Sequence, residues 1–483
     1  MITMTIIYLS TALVLGLLQF VNRNGKVRSI ITCLFLSLQW YFTYHAQTHL
    51  GTSEAMFFKF DSLAMLFLAT LSVVATVAFV HGKDYIEGDN EVADKRKVDG
   101  QYAGAMQLMT MALTMAYLSQ HVAVTWIFVE ITTLCASALI FYRRHVGSIE
   151  ATWKYVFACS ISLVLVYVGI LFLSISMGGE AGNSMLFDSM SGKESTFNEF
   201  WLKMAFIFIL VGYTAKMSLV PMFTAGIDAK DKAPTPAAAM LSSVVMNAGF
   251  VGFYRVYGIV AHTAVVEWAN KILMITGIVS IFVAAVYLVR VQNVKRLFAY
   301  SSVEHMGVVM LGIATSKAGV YAALLHLLLH TFAKSAIFFH IGQLYRVYGS
   351  KQIGKMGRYM NHSGMGTVIV ILAMMSITAM PPSGLFITEL MIFKSMAEAE
   401  LWVVMVITMI LLTIIVWAIG RDTFSLLFLH APSPDAIKPR AVRQPWHETV
   451  LQFVLLVLVI WLGLSTPDWL EHLLNEATQI VTI

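Results

Sequence analysis

Long apolar runs dominate this sequence and restrict what it can fold into. A helix needs about 20 mostly apolar residues to cross the hydrocarbon core of a bilayer. Fourteen such runs follow one another along the 483 residues, at 3–20, 28–46, 61–82, 102–120, 122–142, 155–177, 202–223, 235–260, 267–289, 297–314, 318–345, 364–398, 402–424 and 448–466. The polar segments between them are too short to fold as separate domains. We therefore predict an all-α, multi-pass integral membrane protein with about 14 transmembrane helices.

The composition agrees with a membrane protein and excludes several other classes. Hydrophobic residues make up 58 % of the chain and charged residues only 12 %, whereas about a quarter of a soluble domain is charged. This balance excludes a soluble enzyme and a disordered scaffold. The net charge of +5 is too small for a nucleic-acid-binding protein, which is also excluded. Three cysteines, none in a CxxC pair, cannot hold an iron–sulfur cluster or a thiolate zinc site. We expect no cofactor and no metal in this chain.

Lysine and arginine concentrate in the segments that follow odd-numbered runs, among them 95–97, 143–144, 230–232 and 295–296. The segments after even-numbered runs hold few basic residues. Cytoplasmic loops carry the excess of lysine and arginine. The asymmetry therefore predicts that both termini lie outside and that the number of helices is even.

Charged residues inside the apolar runs are candidate functional residues. A charge at the centre of a bilayer costs at least a few kcal/mol, so it should face protein or water and serve a function. Five runs contain such a charge: Glu130, Lys216, Glu304 followed by His305, Lys334, and Glu389.

The eleventh run places three titratable residues on one helix face. His326, His330 and Lys334 are spaced four residues apart, which aligns them along the helix. Such a row could pass protons, because imidazole titrates near neutral pH. Alternatively, the three groups could only hold neighbouring helices together by hydrogen bonds. A zinc site is a weaker alternative, because the motif offers no third ligand.

Two runs are interrupted by proline close to a charge, Lys216 before Pro221 and Glu389 after the Pro381–Gly384 segment. Broken helices bearing charges are typical of ion-transporter binding sites. Glu130 and Lys216 are 86 residues apart and Glu304 and Glu389 are 85 apart, which indicates two inverted five-helix repeats, each with one broken helix. We predict four parts: N-terminal helices 1–3 in 1–101, the first repeat in 102–262, the second repeat in 263–425, and a C-terminal loop and helix in 426–483.

Four segments then resemble a known superfamily. PMFTAGIDAKDKAPTPAAAMLSS resembles the PxHxWLPDAHxxAPTPVSAxL signature of antiporter-like proton-pumping subunits, and VQNVKRLFAYSSVEHMG, HLLLHTFAKSAIFFHIG and ITAMPPSGLF match further signatures. The superfamily includes large membrane subunits of respiratory complex I, Mrp-type sodium/proton antiporters and group 4 nickel–iron hydrogenases. SSVEHMG is most similar to the component F branch of hydrogenase-4. The resemblance covers helices 4 to about 13.

The resemblance implies roles for the charged residues. Glu130 and Lys216 would be the interacting pair of a first half-channel. Lys334, with His330 and His326, would carry protons between the halves, and Glu389 would end the second half-channel. This chain departs from the signature at its two histidine positions, which are Phe223 and Lys230, and at Asn247, where several complex I homologues carry a lysine.

The resemblance also implies a function and its partners. The chain would be a proton-translocating subunit of a redox-driven complex in a bacterial or archaeal cytoplasmic (inner) membrane. Other membrane and peripheral subunits would hold iron–sulfur clusters and a nickel–iron centre or bind quinone. This chain would carry out no redox chemistry itself and would belong to an oxidoreductase only as a subunit of that complex. The alternatives are sodium- or bicarbonate-linked transport, and a membrane anchor that no longer pumps.

Overall fold

Helices make up most of this computed structural model, which describes residues 3–88, 94–178, 185–192, 196–433, 435–440 and 444–481. The described residues form nineteen α-helices, α1 Met4–Val21, α2 Gly25–Thr48, α3 Ser62–Gly88, α4 Lys95–Leu118, α5 Val122–Ile140, α6 Val146–Ser176, α7 Phe187–Met190, α8 Glu199–Met217, α9 Thr224–Lys232, α10 Thr235–Ser242, α11 Val244–Ala261, α12 Val266–Leu288, α13 Val294–Ile313, α14 Lys317–Tyr348, α15 Gly364–Ile377, α16 Gly384–Glu398, α17 Trp402–Phe428, α18 Trp446–Leu464 and α19 Asp468–Gln479. Two short antiparallel strands, β1 Ser53–Glu54 and β2 Phe58–Lys59, lie between α2 and α3.

Ten spans within the described residues are both long enough and apolar enough to cross a membrane, namely α1, α3, α5, α6, α8, α10 with α11, α12, α14, α17 and α18. The prediction of a multi-pass helical membrane protein is thereby confirmed. The other four predicted runs are also helical, as α2, α4, α13 and the pair α15 and α16. The first three contain more polar residues, and the last run is divided into two short helices.

Burial separates the helices at the centre from those at the periphery. Every residue in the most apolar stretch of α14 is buried, as it is in α10 with α11, but only 28 % of that stretch is buried in α1 and in α17. The outward faces of α1 and α17 carry apolar side chains such as Leu17 and Ile410, as lipid-facing helices do. α14 is therefore the central helix, and it packs against α3, α10, α13, α15, α16 and α18.

The helix breaks lie next to the candidate charges. α8 ends at Met217, directly after Lys216, and the chain passes Pro221 before α9 begins. Likewise, 378–383 separates α15 from α16, which carries Glu389. A third break, at Ser243 between α10 and α11, was not predicted, and neither was the C-terminal helix α19.

Two glycines allow helices to approach closely around these charges. A Cβ at Gly463 of α18 would lie 2.0 Å from the Cα of Gly384 at the start of α16. A Cβ at Gly249 of α11 would lie 2.6 Å from the Cβ of Lys216. Both distances are far inside van der Waals contact, so only glycine fits at these two crossings.

Candidate functional site

Helices α13, α14 and α16 bring five of the predicted residues together in the interior. Glu304 and His305 lie on α13, His326 and His330 on α14, and Glu389 on α16. All five are buried. We call this group the histidine–glutamate cluster.

Hydrogen bonds and close approaches connect the members of the cluster. His305 Nδ1 lies 3.1 Å from His326 Nε2, 3.6 Å from a carboxylate oxygen of Glu304 and 4.0 Å from one of Glu389. The rings of His305 and His330 have their centroids 5.0 Å apart. His305 is therefore the centre of the cluster, and four other titratable side chains surround it.

The side chain of His326 is oriented by α16. Its Nδ1 lies 2.8 Å from the hydroxyl oxygen of Thr388, which directs its Nε2 towards His305. Oε2 of Glu304 and Nε2 of both His305 and His330 are buried without a hydrogen-bond partner in the described part of the chain. Buried polar atoms normally find partners, so these three atoms are available for further hydrogen bonds.

The structure supplies the third metal ligand that the sequence motif lacked. Ligand atoms of His305, His326 and Glu389 lie within 4.8 Å of one another. A metal ion would have to break the His305–His326 hydrogen bond and take the Nε2 atom of His326 that Thr388 orients. We interpret these residues as a titratable cluster rather than a metal site, because His305 and His326 already share a hydrogen bond and further titratable groups lie beside them.

Lys334 extends the row by one helical turn beyond His330. Its ammonium donates a hydrogen bond of 3.0 Å to the backbone carbonyl of Phe298 and another to the hydroxyl of Ser301. Neither acceptor is charged. A buried lysine held by neutral acceptors can lose its proton without leaving an unpaired carboxylate behind.

Lys216 is buried and Glu130 is half-buried, and the two bind different partners. Lys216 Nζ donates to Thr132 Oγ1 at 3.2 Å and to Tyr155 Oη at 3.3 Å. The Glu130 carboxylate accepts from Ser160 at 3.2 Å and from Thr133 at 3.3 Å. The two residues thus form no ion pair within 4.0 Å in the described structure, although Thr132 lies two residues from Glu130 on α5.

Neutral polar residues connect the two halves. Asn247 of α11 donates to Thr331 Oγ1 of α14 at 2.9 Å, next to His330. Ser242 of α10 lies 3.0 Å from Ser302 of α13. Since Asn247 cannot titrate, these contacts hold the helices in register without themselves supplying a charged proton carrier.

Sequence reasoning missed three buried cations, Lys230, Arg255 and Lys295. Lys230 was counted among the loop residues, but it lies on α9 and is 1 % exposed. Arg255 of α11 is also buried, and its guanidinium forms two hydrogen bonds of 2.6 and 3.1 Å with Asp61. The sequence did contain a signal for Arg255, an arginine inside the 235–260 run, but nothing revealed that the segment after Pro221 folds inward as a helix.

Asp231 anchors the end of α9 and thereby holds Lys230 inside. Its carboxylate accepts from Asn293 at 3.0 Å and lies 3.4 Å from Lys351 Nζ. Burial alone raises the pKa of the Asp231 carboxyl, but the positive charges of Lys351, Lys295 and Lys232 outweigh burial and lower its pKa to about 2. The carboxylate therefore stays ionised at neutral pH and ties α9 to α13 and to the segment after α14.

Comparisons with known proteins bear on the family of this chain. The family described as NADH:quinone oxidoreductase/Mrp antiporter, TM, matches residues 119–415. A protein named hydrogenase-4 component F homolog from Methylacidiphilum infernorum is 28 % identical over 346 residues, which cover 70 % of this chain and 72 % of that protein.

Two solved structures share the fold over nearly the whole chain. One belongs to the membrane-bound sulfane sulfur reductase, an archaeal respiratory membrane complex, with a TM-score of 0.83, 18 % identity and 99 % and 98 % of the two chains covered. The other belongs to the Mrp complex from Dietzia, with a TM-score of 0.84, 16 % identity and 99 % and 97 % covered. The family match spans more than half of the sequence and includes every residue of the histidine–glutamate cluster. This chain belongs to the NADH:quinone oxidoreductase/Mrp antiporter family of membrane proteins.

Proposed function

We propose that this chain translocates protons as one subunit of a larger, redox-driven membrane complex. The observation that supports this function most directly is the histidine–glutamate cluster, in which His305 lies within 4.0 Å of titratable atoms from three other residues. Charges at this depth are costly unless they serve a function. Lys334 and Lys216 continue the row of buried titratable groups towards the first half of the chain.

The mechanism we propose is electrostatic. Two unit charges 4 Å apart interact by about 4 kcal/mol at an effective dielectric constant of 20, enough to shift a proton equilibrium nearly a thousandfold. A change in charge at Glu130 or Glu389 would therefore drive a proton onto or off the neighbouring base. The Thr132 and Tyr155 hydroxyls give Lys216 two neutral acceptors, so the lysine can respond to Glu130 without being locked in an ion pair.

The proposed architecture follows from the same features. We propose fourteen spans, with inverted repeats over 102–262 and 263–425 flanked by 1–101 and 426–483. One helix break beside a charge lies in each proposed repeat, near Lys216 and near Glu389, and this supports the division. Both termini would lie outside the bacterial or archaeal inner membrane.

Partner subunits would supply the electrons. The relative named hydrogenase-4 component F homolog supports partner subunits of a redox complex, and we propose that these hold iron–sulfur clusters, with a nickel–iron centre or quinone. A specific observation favours one second candidate, a non-pumping anchor. Asn247 is a neutral residue in the connection between the halves, and its hydrogen bond to Thr331 is what a purely structural contact would look like.

Ion translocation per electron, measured in vesicles containing the complex purified through a tag on this chain, distinguishes these functions. Lys334→Met keeps the length of the side chain but removes the titratable group, so coupling should fail while assembly and electron transfer persist. Lys334→Arg should also fail, because guanidinium does not release its proton at any accessible pH. Full translocation by Lys334→Met and by Lys216→Met would exclude a proton-carrying function and favour the anchor.

A further inference from the structure

Lys230 is a buried cation that the proposed proton path does not yet include. It lies in the last turn of α9 and is 1 % exposed. Its ammonium lies 3.0 Å from Ser218 Oγ and 3.4 Å from Met246 Sδ. No carboxylate lies within 4.0 Å of it in the described part of the chain, so its charge is held by one hydroxyl and a thioether.

The surroundings of Lys230 reach both halves of the molecule. On one side, Lys230 and Lys216 line the same small cavity, together with Ser218 and Tyr155. On the other side, Met246 precedes Asn247, which is hydrogen-bonded to α14 at Thr331.

The α14 end of this contact leads directly into the titratable row. Thr331 follows His330 in the sequence and lies three residues before Lys334. The contacts of Lys230 thus run from the residues around Lys216 to the helix that carries Lys334.

We propose that Lys230 is the proton carrier between Lys216 and Lys334, and that it replaces a titratable residue at position 247. The inference rests on the proposed function. In the step, an N–H bond of the Lys216 ammonium breaks as an N–H bond forms on the neutral Lys230 amine, with hydroxyl groups such as that of Ser218 relaying the proton. An N–H bond of the Lys230 ammonium then breaks as an N–H bond forms on the neutral Lys334 amine, with hydroxyl groups such as that of Thr331 relaying the proton. One proton moves and no electrons are exchanged, so the step needs no co-reactant.

A structural role makes different predictions for the same residue. Ser218 ends α8 in a left-handed conformation, with φ of 57°, and the Lys230 hydrogen bond could simply hold that turn in place. Arginine would keep the charge and a donor for Ser218 but would not release a proton. Histidine would keep a titratable group on a shorter side chain.

The experiment compares Lys230→Gln, Lys230→Arg and Lys230→His in the purified, reconstituted complex. We expect Lys230→Gln and Lys230→Arg to lose most ion translocation per electron while assembly and electron transfer persist, and Lys230→His to retain part of it. Lys232→Gln is the matched control and should translocate normally, because Lys232 is 40 % exposed and Asn293 and Lys351 still hold Asp231 without it.

The second-site variant Asn247→Lys tests the connection itself. Added to Lys230→Gln, it places a titratable group directly beside Thr331 and should restore coupling. Normal coupling in Lys230→Gln, or in Lys230→Arg, would overturn the carrier role. If Lys230→Gln does not assemble, Lys230→Arg decides alone, since it preserves charge and hydrogen bonding.

The outcomes also separate this inference from the proposed function. If Lys216→Met and Lys334→Met abolish translocation while Lys230→Gln leaves it intact, only the role of Lys230 is wrong. If all three variants translocate protons normally, both the role of Lys230 and the proposed function are wrong.

Discussion

Glu389 is the one member of the histidine–glutamate cluster that lies beside a helix break, five residues into α16. Its carboxylate approaches His305 to 4.0 Å, and the preceding residue, Thr388, orients His326. Two adjacent residues of α16 therefore act on two histidines of different helices. A change in the charge of Glu389 therefore alters the electrostatic potential at His305, the centre of the cluster.

Glu389→Gln should abolish most ion translocation without preventing assembly, because the amide keeps the shape of the side chain but cannot exchange protons. Glu398→Gln, on the same helix, is the control, since Glu398 is exposed and pairs only with Lys394 one turn away in the described structure. Exposed pairs of this kind are worth less than about 1 kcal/mol. Proton uptake by reconstituted vesicles measures both variants, and equal uptake would show that Glu389 carries no proton.

At this scale, the sequence predicted which residues matter better than it predicted their partners. The four-residue spacing of His326, His330 and Lys334 follows from helical periodicity, so their common face could be predicted. The approach of His305 to His326 depends on how α13 packs against α14, which no local pattern encodes. The Glu130–Lys216 pair, taken from a family resemblance, does not appear as a direct ion pair in the described residues.

At the scale of helices, close crossings fix the broken segments. α18 crosses the beginning of α16 at Gly463 and Gly384, five residues before Glu389. This crossing determines how deeply α16 sits against α14. Since the side chain of any other residue would collide with backbone, the crossing tolerates little change.

Gly463→Ala should lower the thermal unfolding midpoint of the purified protein. The added methyl group overpacks the crossing, which costs roughly 1–3 kcal/mol in the free energy of unfolding. Gly420→Ala in α17 is the matched control, because nothing lies within 4 Å of its added Cβ. That variant should unfold at the same temperature as the unmodified chain or slightly above it. Equal midpoints for both variants would show that α16 and α18 can separate at no cost.

The breaks after Met217 and before Gly384 were predictable from proline, which removes a backbone donor and interrupts a helix. The break at Ser243 was not, because SSVV contains neither proline nor glycine and reads as part of one apolar run. Its backbone, with φ of −129° and ψ of −93°, is set by packing between α10 and α14. Tertiary contacts, rather than local sequence, decide the conformation there.

At the scale of the whole molecule, buried helices form the centre and apolar helices surround them. Hydropathy alone predicted the class of protein, because lipid-facing and buried helices are both apolar. It did not separate the two groups, and it could not show that Lys230 lies inside. Burial of that lysine needs the folded segment after Pro221, held by Asp231 and its cationic neighbours.

Cysteine labelling tests the predicted orientation. In a Cys33→Ser background, which leaves only buried native cysteines, Glu150→Cys and Lys394→Cys each add one exposed thiol. A membrane-impermeant maleimide should label position 394 in intact cells and position 150 only in inside-out vesicles. The reverse pattern would place both termini in the cytoplasm.

The tight contact of Gly249 with Lys216 bears on how fast this protein can respond. The α11 backbone confines the Lys216 stem at its Cβ, so the ammonium can be repositioned only by rotation about the outer bonds of its side chain. Side-chain rotations take picoseconds to nanoseconds when unhindered, whereas collective helix movements take microseconds to milliseconds. Small movements of the Lys216 amine beside Thr132 and Tyr155 therefore require no helix to move. The rate of each proton-transfer cycle is therefore set by the slower events that change the charge around Lys216.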